Sequence, residues 1–451
     1  MFFIRWHQLL LLLCIASGFF LTTQSAVAVP LFARQTGFEC ASCHHGGNYY
    51  ELSTLGRQFK LLGYTLGERQ SIPLSGMVIA GNTNLRNQNG SSNPANDFKH
   101  DGASQLQQFS LFSGGKITDN VGAFVQWTYN GVEHHSSLDN LDLRFANQAT
   151  VAGKNLIYGV TLNNNPTSQD VFNSTPAWGY PFNGPGGAFQ HYGAQPILIG
   201  ALGQQVAGVG AYVDWNNSIY GEISGYRTAD GALSILRAGT YHSNPSDGGS
   251  PPYVLKGVNP YWRLALHGDS GPHSWEVGTF GMLAEQYSDG FNESSPRIRF
   301  RDYALDGQYQ YTQGPHRWSA QATYIREKQH YDSALVGGGA GHDNASNSLN
   351  ASKLRGSYFY QNKYGGSATL FANNGSRDAQ LYAANTNTVP DTRGYILELD
   401  YLPLDRLKLG IQYTGYSKFN GSSSNYDASG TLPNRNAKDN NTLYLFGWLA
   451  F

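Results

Sequence analysis

Two thiols and an imidazole stand close together in Cys40-Ala41-Ser42-Cys43-His44. Cysteines separated by two residues can add to the vinyl groups of a haem, and a histidine directly after the second is placed to ligate the iron. The same pair could be a thioredoxin-like redox couple or half of a zinc site. Zinc would need a second ligand pair, and the mature chain has no other cysteine. A redox dithiol wants a βαβ surrounding, and none follows. The residues therefore point to one covalently bound haem c. Cys40 and Cys43 are its attachment points, and His44 is both the iron ligand and the residue that carries the redox chemistry.

The compartment agrees with that chemistry. Met1 to His7 carries Arg5, an almost wholly apolar run extends from Leu9 to Leu21, and Ala26-Val27-Ala28 precedes Val29-Pro30. These are the parts of a secretory signal, which places residues 1–28 in a cleaved leader and the mature start near Val29. The run is too short and too well bounded for a transmembrane helix. Cys14 is not preceded by the small residue that lipidation wants, since Leu13 stands there, so it is expected to leave with the leader. Export and haem attachment outside the cytoplasm are mutually consistent.

The segment from Val29 to Ser71 that carries the motif is small. Leu52, Leu55, Phe59 and Leu62 recur at helical spacing, which predicts a helix of about three turns with Gly63 at its end. Such a segment cannot wrap a haem and also make a core of its own. Other parts of the chain must supply the missing walls.

Those parts are strands. A net charge of -1 offers no field for nucleic acid, and the combination of 14% charged residues with 54 glycines and 29 tyrosines fits neither a helical membrane protein nor an ordinary soluble enzyme. After about Pro73 the apolar period becomes two. Val121, Ala123, Val125, Trp127 and Tyr129 alternate with Gly122, Gln126, Thr128 and Asn130, with Phe124 as the exception, and Leu156 to Leu162, Leu354 to Tyr360 and Leu407 to Tyr413 behave alike. The other phase holds Asp142, Arg144, Arg263, Asp306, Gln308, Glu398, Asp400, Lys408 and Gln412. Periodicity alone does not separate a soluble sandwich from a barrel. Loop lengths do: short connections such as Asn216-Asn217 and Gln313 to Pro315 alternate with long ones such as 164 to 197, 227 to 257 and 418 to 440. That is the pattern of short periplasmic turns and long extracellular loops. Strands are placed over sixteen stretches, among them 120 to 130, 198 to 215 and 441 to 451. Trp215, Trp275 and Trp318 beside short turns suit an interfacial girdle, and the last strand ends on Phe451 like a barrel-assembly signal. Gly337-Gly338-Gly339, Asn420 to Asn425 and Pro245 to Pro252 are read as solvated loops. The expected fold is an all-β, transmembrane outer-membrane β-barrel of about 16 antiparallel strands over residues 72–451. Residues 29–71 form a short helical haem-binding segment that plugs its lumen.

Pro30-Leu31-Phe32-Ala33-Arg34-Gln35-Thr36-Gly37, the motif Cys40 to His44, Leu55-Gly56-Arg57-Gln58-Phe59-Lys60 and Gly63-Tyr64-Thr65 together resemble the N-terminus of the fused cytochrome-porins, the outer-membrane monohaem cytochromes c of iron-oxidising bacteria. The stretch Leu162 to Phe182, with Asn164-Asn165-Pro166-Thr167, Asp170 and Pro176-Ala177-Trp178-Gly179-Tyr180-Pro181, is similar to that family as well. His45-Gly46-Gly47 departs from it, since bulkier residues and a proline near Tyr50 are expected there. The resemblance implies an electron conduit in which extracellular Fe(II), or a similar donor, reduces the haem and a periplasmic soluble cytochrome or other acceptor takes the electron onward. A porin-type channel or sensor whose haem plug gates the pore is the alternative.

The second iron ligand is open. His45 cannot reach the opposite face of an iron already bound by its neighbour, and of Met1, Met77 and Met282 none lies in the haem-binding segment. His267 has the lumen phase, while it, His273 and His316 fall beside short turns. His100, His134, His135, His191, His242, His330 and His342 fall in or near long loops, where a solvated surface histidine is the competing account. A water-bound site is a further alternative. Arg34, Arg57 and Lys60 are the cations available to haem propionates, set against simple solvation.

Overall fold

A computed structural model of the chain describes residues 30–46, 49–87, 102, 104–132, 134–185, 193–238, 253–430 and 434–451. The leader, Pro245 to Pro252, and His100, His191 and His242 lie outside these residues. Among the described residues three short helices come first: α1 (Pro30–Thr36), α2 (Cys40–Cys43) and α3 (Thr54–Leu61). Sixteen strands follow. They are β1 (Leu74–Leu85), β2 (Ser104–Lys116), β3 (Val121–Asn130), β4 (His135–Val151), β5 (Lys154–Asn163), β6 (Val206–Trp215), β7 (Ile219–Thr228) and β8 (Asn259–Ser270). The second half comprises β9 (His273–Tyr287), β10 (Arg297–Gln313), β11 (His316–Tyr331), β12 (Ser346–Tyr360), β13 (Tyr364–Gly375), β14 (Thr392–Leu404), β15 (Leu407–Lys418) and β16 (Thr442–Ala450).

Each strand pairs antiparallel with its neighbours in sequence, and β1 pairs with β16 through Met77 opposite Ala450, which closes the barrel and leaves no edge. The expected strand number and antiparallel order therefore stand. At one end the connections are tight: β6 turns into β7 through Asn216 and Asn217, both in the left-handed region that a two-residue hairpin requires. The start of β1 and the end of β16 lie at this same short-turn end.

Burial is inverted relative to a soluble protein. Outward positions carry Val209, Ile223, Leu264, Val277, Leu305, Leu399 and Ile411, all exposed, while Asp142, Arg144, Arg263, Glu276, Asp306, Glu398 and Lys408 are buried. An apolar exterior around a polar interior is the arrangement of a barrel that crosses a lipid bilayer. Trp215, Trp275 and Trp318 are exposed beside short turns, where an aromatic girdle meets the interface.

Two expectations need correction. Residues 198–205, read as the first half of a strand, are turns, and β6 begins at Val206. Ile197, Leu198 and Leu202 are apolar because they pack on Phe280 and Met282 inside the barrel, so the hydrophobic run belongs to an inserted loop. The second concerns α3. Its buried residues are Gly56, Arg57, Phe59, Lys60 and Leu61, whereas Leu55 and Leu62 are only partly covered and Leu52 precedes the helix. A helix covered on several sides buries polar residues too, provided that each finds a partner. Its end follows the expected pattern: Gly63 has φ +68°, its N–H donates to the Lys60 carbonyl and the Tyr64 N–H to the Phe59 carbonyl, which is a Schellman stop.

Candidate functional site

The cysteine motif is a single turn of helix. The His44 N–H donates to the Cys40 carbonyl at 2.8 Å, which brings Cys40 and Cys43, three apart, to one side. His44 then bridges antiparallel to Leu52, with the His45 N–H on the Glu51 carbonyl (2.9 Å) and the Ser53 N–H on the Cys43 carbonyl (2.9 Å). Ser53 caps α3, its hydroxyl accepting from the Gly56 N–H at 3.3 Å. At Gly56 the helix lies directly on the motif: a Cβ there would stand 2.2 Å from the Cys43 carbonyl oxygen. Gly56→Ala is expected to lift α3 from the turn at a cost of about 1–3 kcal/mol, detected as faster limited proteolysis of residues 30–71 than in the native protein.

Barrel side chains hold this segment in place. Arg57 donates to Ser274 Oγ (2.8 Å) and Gln310 Oε1 (2.6 Å), and Glu51 pairs with Arg355 at 2.5 Å. Tyr64 donates to Asp142 Oδ2 at 2.6 Å, Tyr212 to the Leu61 carbonyl at 2.7 Å, and Thr54 to Asp269 Oδ1 at 2.7 Å. Near the short-turn end Tyr49 donates to the Asp405 carbonyl at 2.9 Å, and a His45 ring nitrogen contacts the Trp318 carbonyl at 2.9 Å. The loop residues 164–185 and 193–205 also enter the interior, where Asn164, Thr167, Asp170 and Thr175 are wholly buried. Lys60 Nζ donates to the carbonyls of Ser168 (2.8 Å) and Asp170 (2.6 Å) and to Asn173 Oδ1 (2.8 Å), so all three ammonium protons are matched.

Between the segment, the loop and the barrel wall lies a cavity with about 1130 Å³ of space not filled by atoms, part of it open to solvent. Cys40, Cys43 and His44 line one side, with Phe32, Tyr49, Phe59 and Tyr64. The wall adds Met77 from β1, Phe112 from β2, Phe124 from β3 and Trp448 from β16, and the loop adds Asn173, Trp178 and Phe182. Met77 and Ala450 sit near strand ends at the short-turn end, so the cavity lies toward that mouth. Aromatic edges and faces close it: Phe182 lies 5.5 Å from Trp448 and 6.0 Å from Tyr50, and Phe124 lies 6.3 Å from Trp178.

The two cysteines are thiols, and burial raises Cys43 above the ordinary thiol range. Burial also pulls the His44 imidazole down to about 4, against a smaller upward pull from the Glu51 backbone, so the ring is neutral at physiological pH. Its Nδ1 is buried and has no hydrogen-bond partner. Two thiols and an imidazole thus line an apolar cavity, and among the described residues no group of three His, Cys, Asp or Glu side chains is placed to hold a metal ion.

The remaining sequence candidates are placed elsewhere. Arg34 is exposed, its guanidinium on the Leu74 carbonyl, and neither it nor Arg57 lines the cavity. Lys60 lines it with its ammonium already engaged. His267 sits on Asp214 at 2.6 Å, His273 on Tyr309 at 2.7 Å, His316 on Tyr358 at 2.8 Å, and His342 stacks on Tyr331. None of these lines the cavity. Sequence reasoning missed Met77, Phe112, Phe182 and Trp448. Met77, Phe112 and Trp448 carried a signal as large apolar residues in the polar, inward phase of a strand, the class to which Phe124 belongs, whereas Phe182 lies in the loop and carried none.

No family model matches the chain, and no curated protein matches it. Among solved structures it is similar to OmpT, an outer membrane protein of Vibrio cholerae, at 11% identity over 84% of this chain and 97% of that one, with a TM-score of 0.44. The outer membrane channel DcaP of Acinetobacter baumannii gives 12% identity over 84% and 97%, with a TM-score of 0.46. An anion-selective porin from Comamonas acidovorans gives 12% over 84% and 99%, with a TM-score of 0.44.

Proposed function

We propose that the protein is an outer-membrane electron conduit of the fused cytochrome-porin kind: a β-barrel with a plug, residues 29–71, that holds one covalent haem c inside its lumen. The observation that carries this reading is the placement of Cys40, Cys43 and His44 together on one side of a largely apolar cavity inside the barrel. Cys40 and Cys43 would hold the porphyrin and His44 the iron. The apolar cavity limits solvent access, which tunes the potential of a buried redox centre. A haem bound there would supply one-electron transfer, from extracellular Fe(II) as donor to a soluble periplasmic cytochrome as acceptor. The activity is thus that of an Fe(II):cytochrome c oxidoreductase.

The plug and the inserted loop have a second role, since a barrel of this strand number is wide enough for an aqueous channel. Here the lumen is occupied by buried ion pairs: Arg263 with Asp170 (3.1 Å), Glu276 and Asp306 (both 2.9 Å), and Lys408 with Glu398 (3.0 Å) and Asp400 (3.1 Å). The alternative, a porin-type channel whose plug gates the pore, is supported by the closed sixteen-strand barrel itself.

Stopped-flow mixing of the oxidised, full-length protein with Fe(II) tests the proposal. Haem reduction on a millisecond-to-second scale is expected, together with little single-channel conductance in a planar bilayer. A haem inert to Fe(II) in a barrel that conducts freely would favour the gated channel.

A further inference from the structure

We infer that the thioether of Met77, on the first strand of the barrel, is the second axial ligand of the iron. This rests on the haem reading above and adds a residue from outside the haem-binding segment. Among the described residues the cavity is lined by one imidazole, His44, and one thioether, Met77, with no other histidine or methionine. Apart from Tyr50 and the exposed Glu39, the other donors along its wall are committed. Lys60 Nζ has three acceptors, Tyr64 donates to Asp142, and Tyr49 donates to the Asp405 carbonyl. Gln126 donates to Thr128 Oγ1 at 3.1 Å and accepts from Asn140 at 3.2 Å, and Asn173 donates to the Tyr50 carbonyl while accepting from Lys60.

Met77 is 4% exposed and packs among Phe59, Phe112, Tyr444 and Trp448, in a barrel whose inward positions are mostly polar. An unbranched thioether in such a setting is a soft, adjustable ligand for haem iron, and the His/Met pair raises the potential of a c-type haem. The strand is tied to the segment nearby: the Arg34 guanidinium donates to the Leu74 carbonyl, three residues before Met77. The iron would then join the segment to the barrel wall, so that the cofactor itself locks the plug. Met282 is excluded by position, since it packs on Phe280 in a separate cluster and does not line the cavity. Tyr50 is the remaining candidate, because its buried hydroxyl lacks a hydrogen-bond partner.

Absorption spectra and redox titration of the full-length protein and of Met77→Leu, Met77→His and Tyr50→Phe test the assignment. Met77→Leu keeps an apolar side chain of similar volume, and Met77→His retains a ligand should the leucine variant fail to fold. The ferric protein is expected to show the weak far-red band of sulfur ligation. Met77→Leu loses it, Met77→His replaces it with a bis-imidazole spectrum and a lower midpoint potential, and Tyr50→Phe keeps it. A haem-loaded protein without the band, or a band that survives either Met77 substitution, overturns the assignment while leaving the haem reading intact. A pyridine haemochrome test that finds no covalent haem overturns both.

Discussion

Replacing Cys40 and Cys43 together with serine is expected to abolish covalent haem, read as complete loss of haem stain on a denaturing gel, while the barrel still folds and keeps its heat-modifiable mobility. The loss is complete because serine forms no thioether with a haem vinyl group, and denaturation strips any haem held by burial alone. The barrel survives because the motif's cysteines take no part in the strand pairing, and Cys40 meets a barrel turn only at long range, 3.9 Å from its Sγ to the Asp405 carbonyl. His44→Ala is expected to be milder in content and different in kind. Both thioether links can still form, but the iron loses its imidazole, so the spectrum changes before the stoichiometry does.

Arg263→Met is the second large effect, and it acts on the barrel. The guanidinium, on β8, meets Asp170 from the inserted loop, Glu276 on β9 and Asp306 on β10, and none of the side chains has contact with solvent. Removing it leaves carboxylates buried without a counter-charge, which costs about 3–5 kcal/mol. The weakest attachment is the loop, because Glu276 and Asp306 are held in the ladder by β9–β10 pairing and Asp170 is not. The loop is therefore expected to leave its seat, taking the Asn173, Trp178 and Phe182 wall with it. Two measurements read this: a lower urea midpoint, and a rise in single-channel conductance over the native protein. An unchanged conductance would show that the loop does not fill the lumen.

The barrel was legible in the sequence because lipid and a polar interior impose opposite requirements on alternate residues. Asp142, Arg144, Arg263, Asp306 and Lys408 marked the inner phase, and all are buried. The cavity was harder to see for the same reason. Phe124 stood out as an exception to the polar phase, and in β16 the phase of Leu443 and Leu445 drew attention to the lipid face, although Tyr444, Phe446 and Trp448 are the inward residues. A local departure from alternation is how a strand states that its inner face meets something apolar, and one such departure cannot say what. The inserted loop was read for length alone. Its burial depends on contacts between residues far apart in the chain, Lys60 with Ser168 and Arg263 with Asp170, which no local pattern encodes. The apolar stripe of α3 misled in the same way, since the helix has barrel on one side and the cysteine turn on another.

Intact mass of the full-length protein, produced in a host that attaches haem c and purified from outer membranes, tests the central claim most directly. The account predicts a chain beginning near Val29 that carries the mass of one haem, lost when Cys40 and Cys43 are both serine. A correctly folded native barrel with the bare mass of its polypeptide would contradict it.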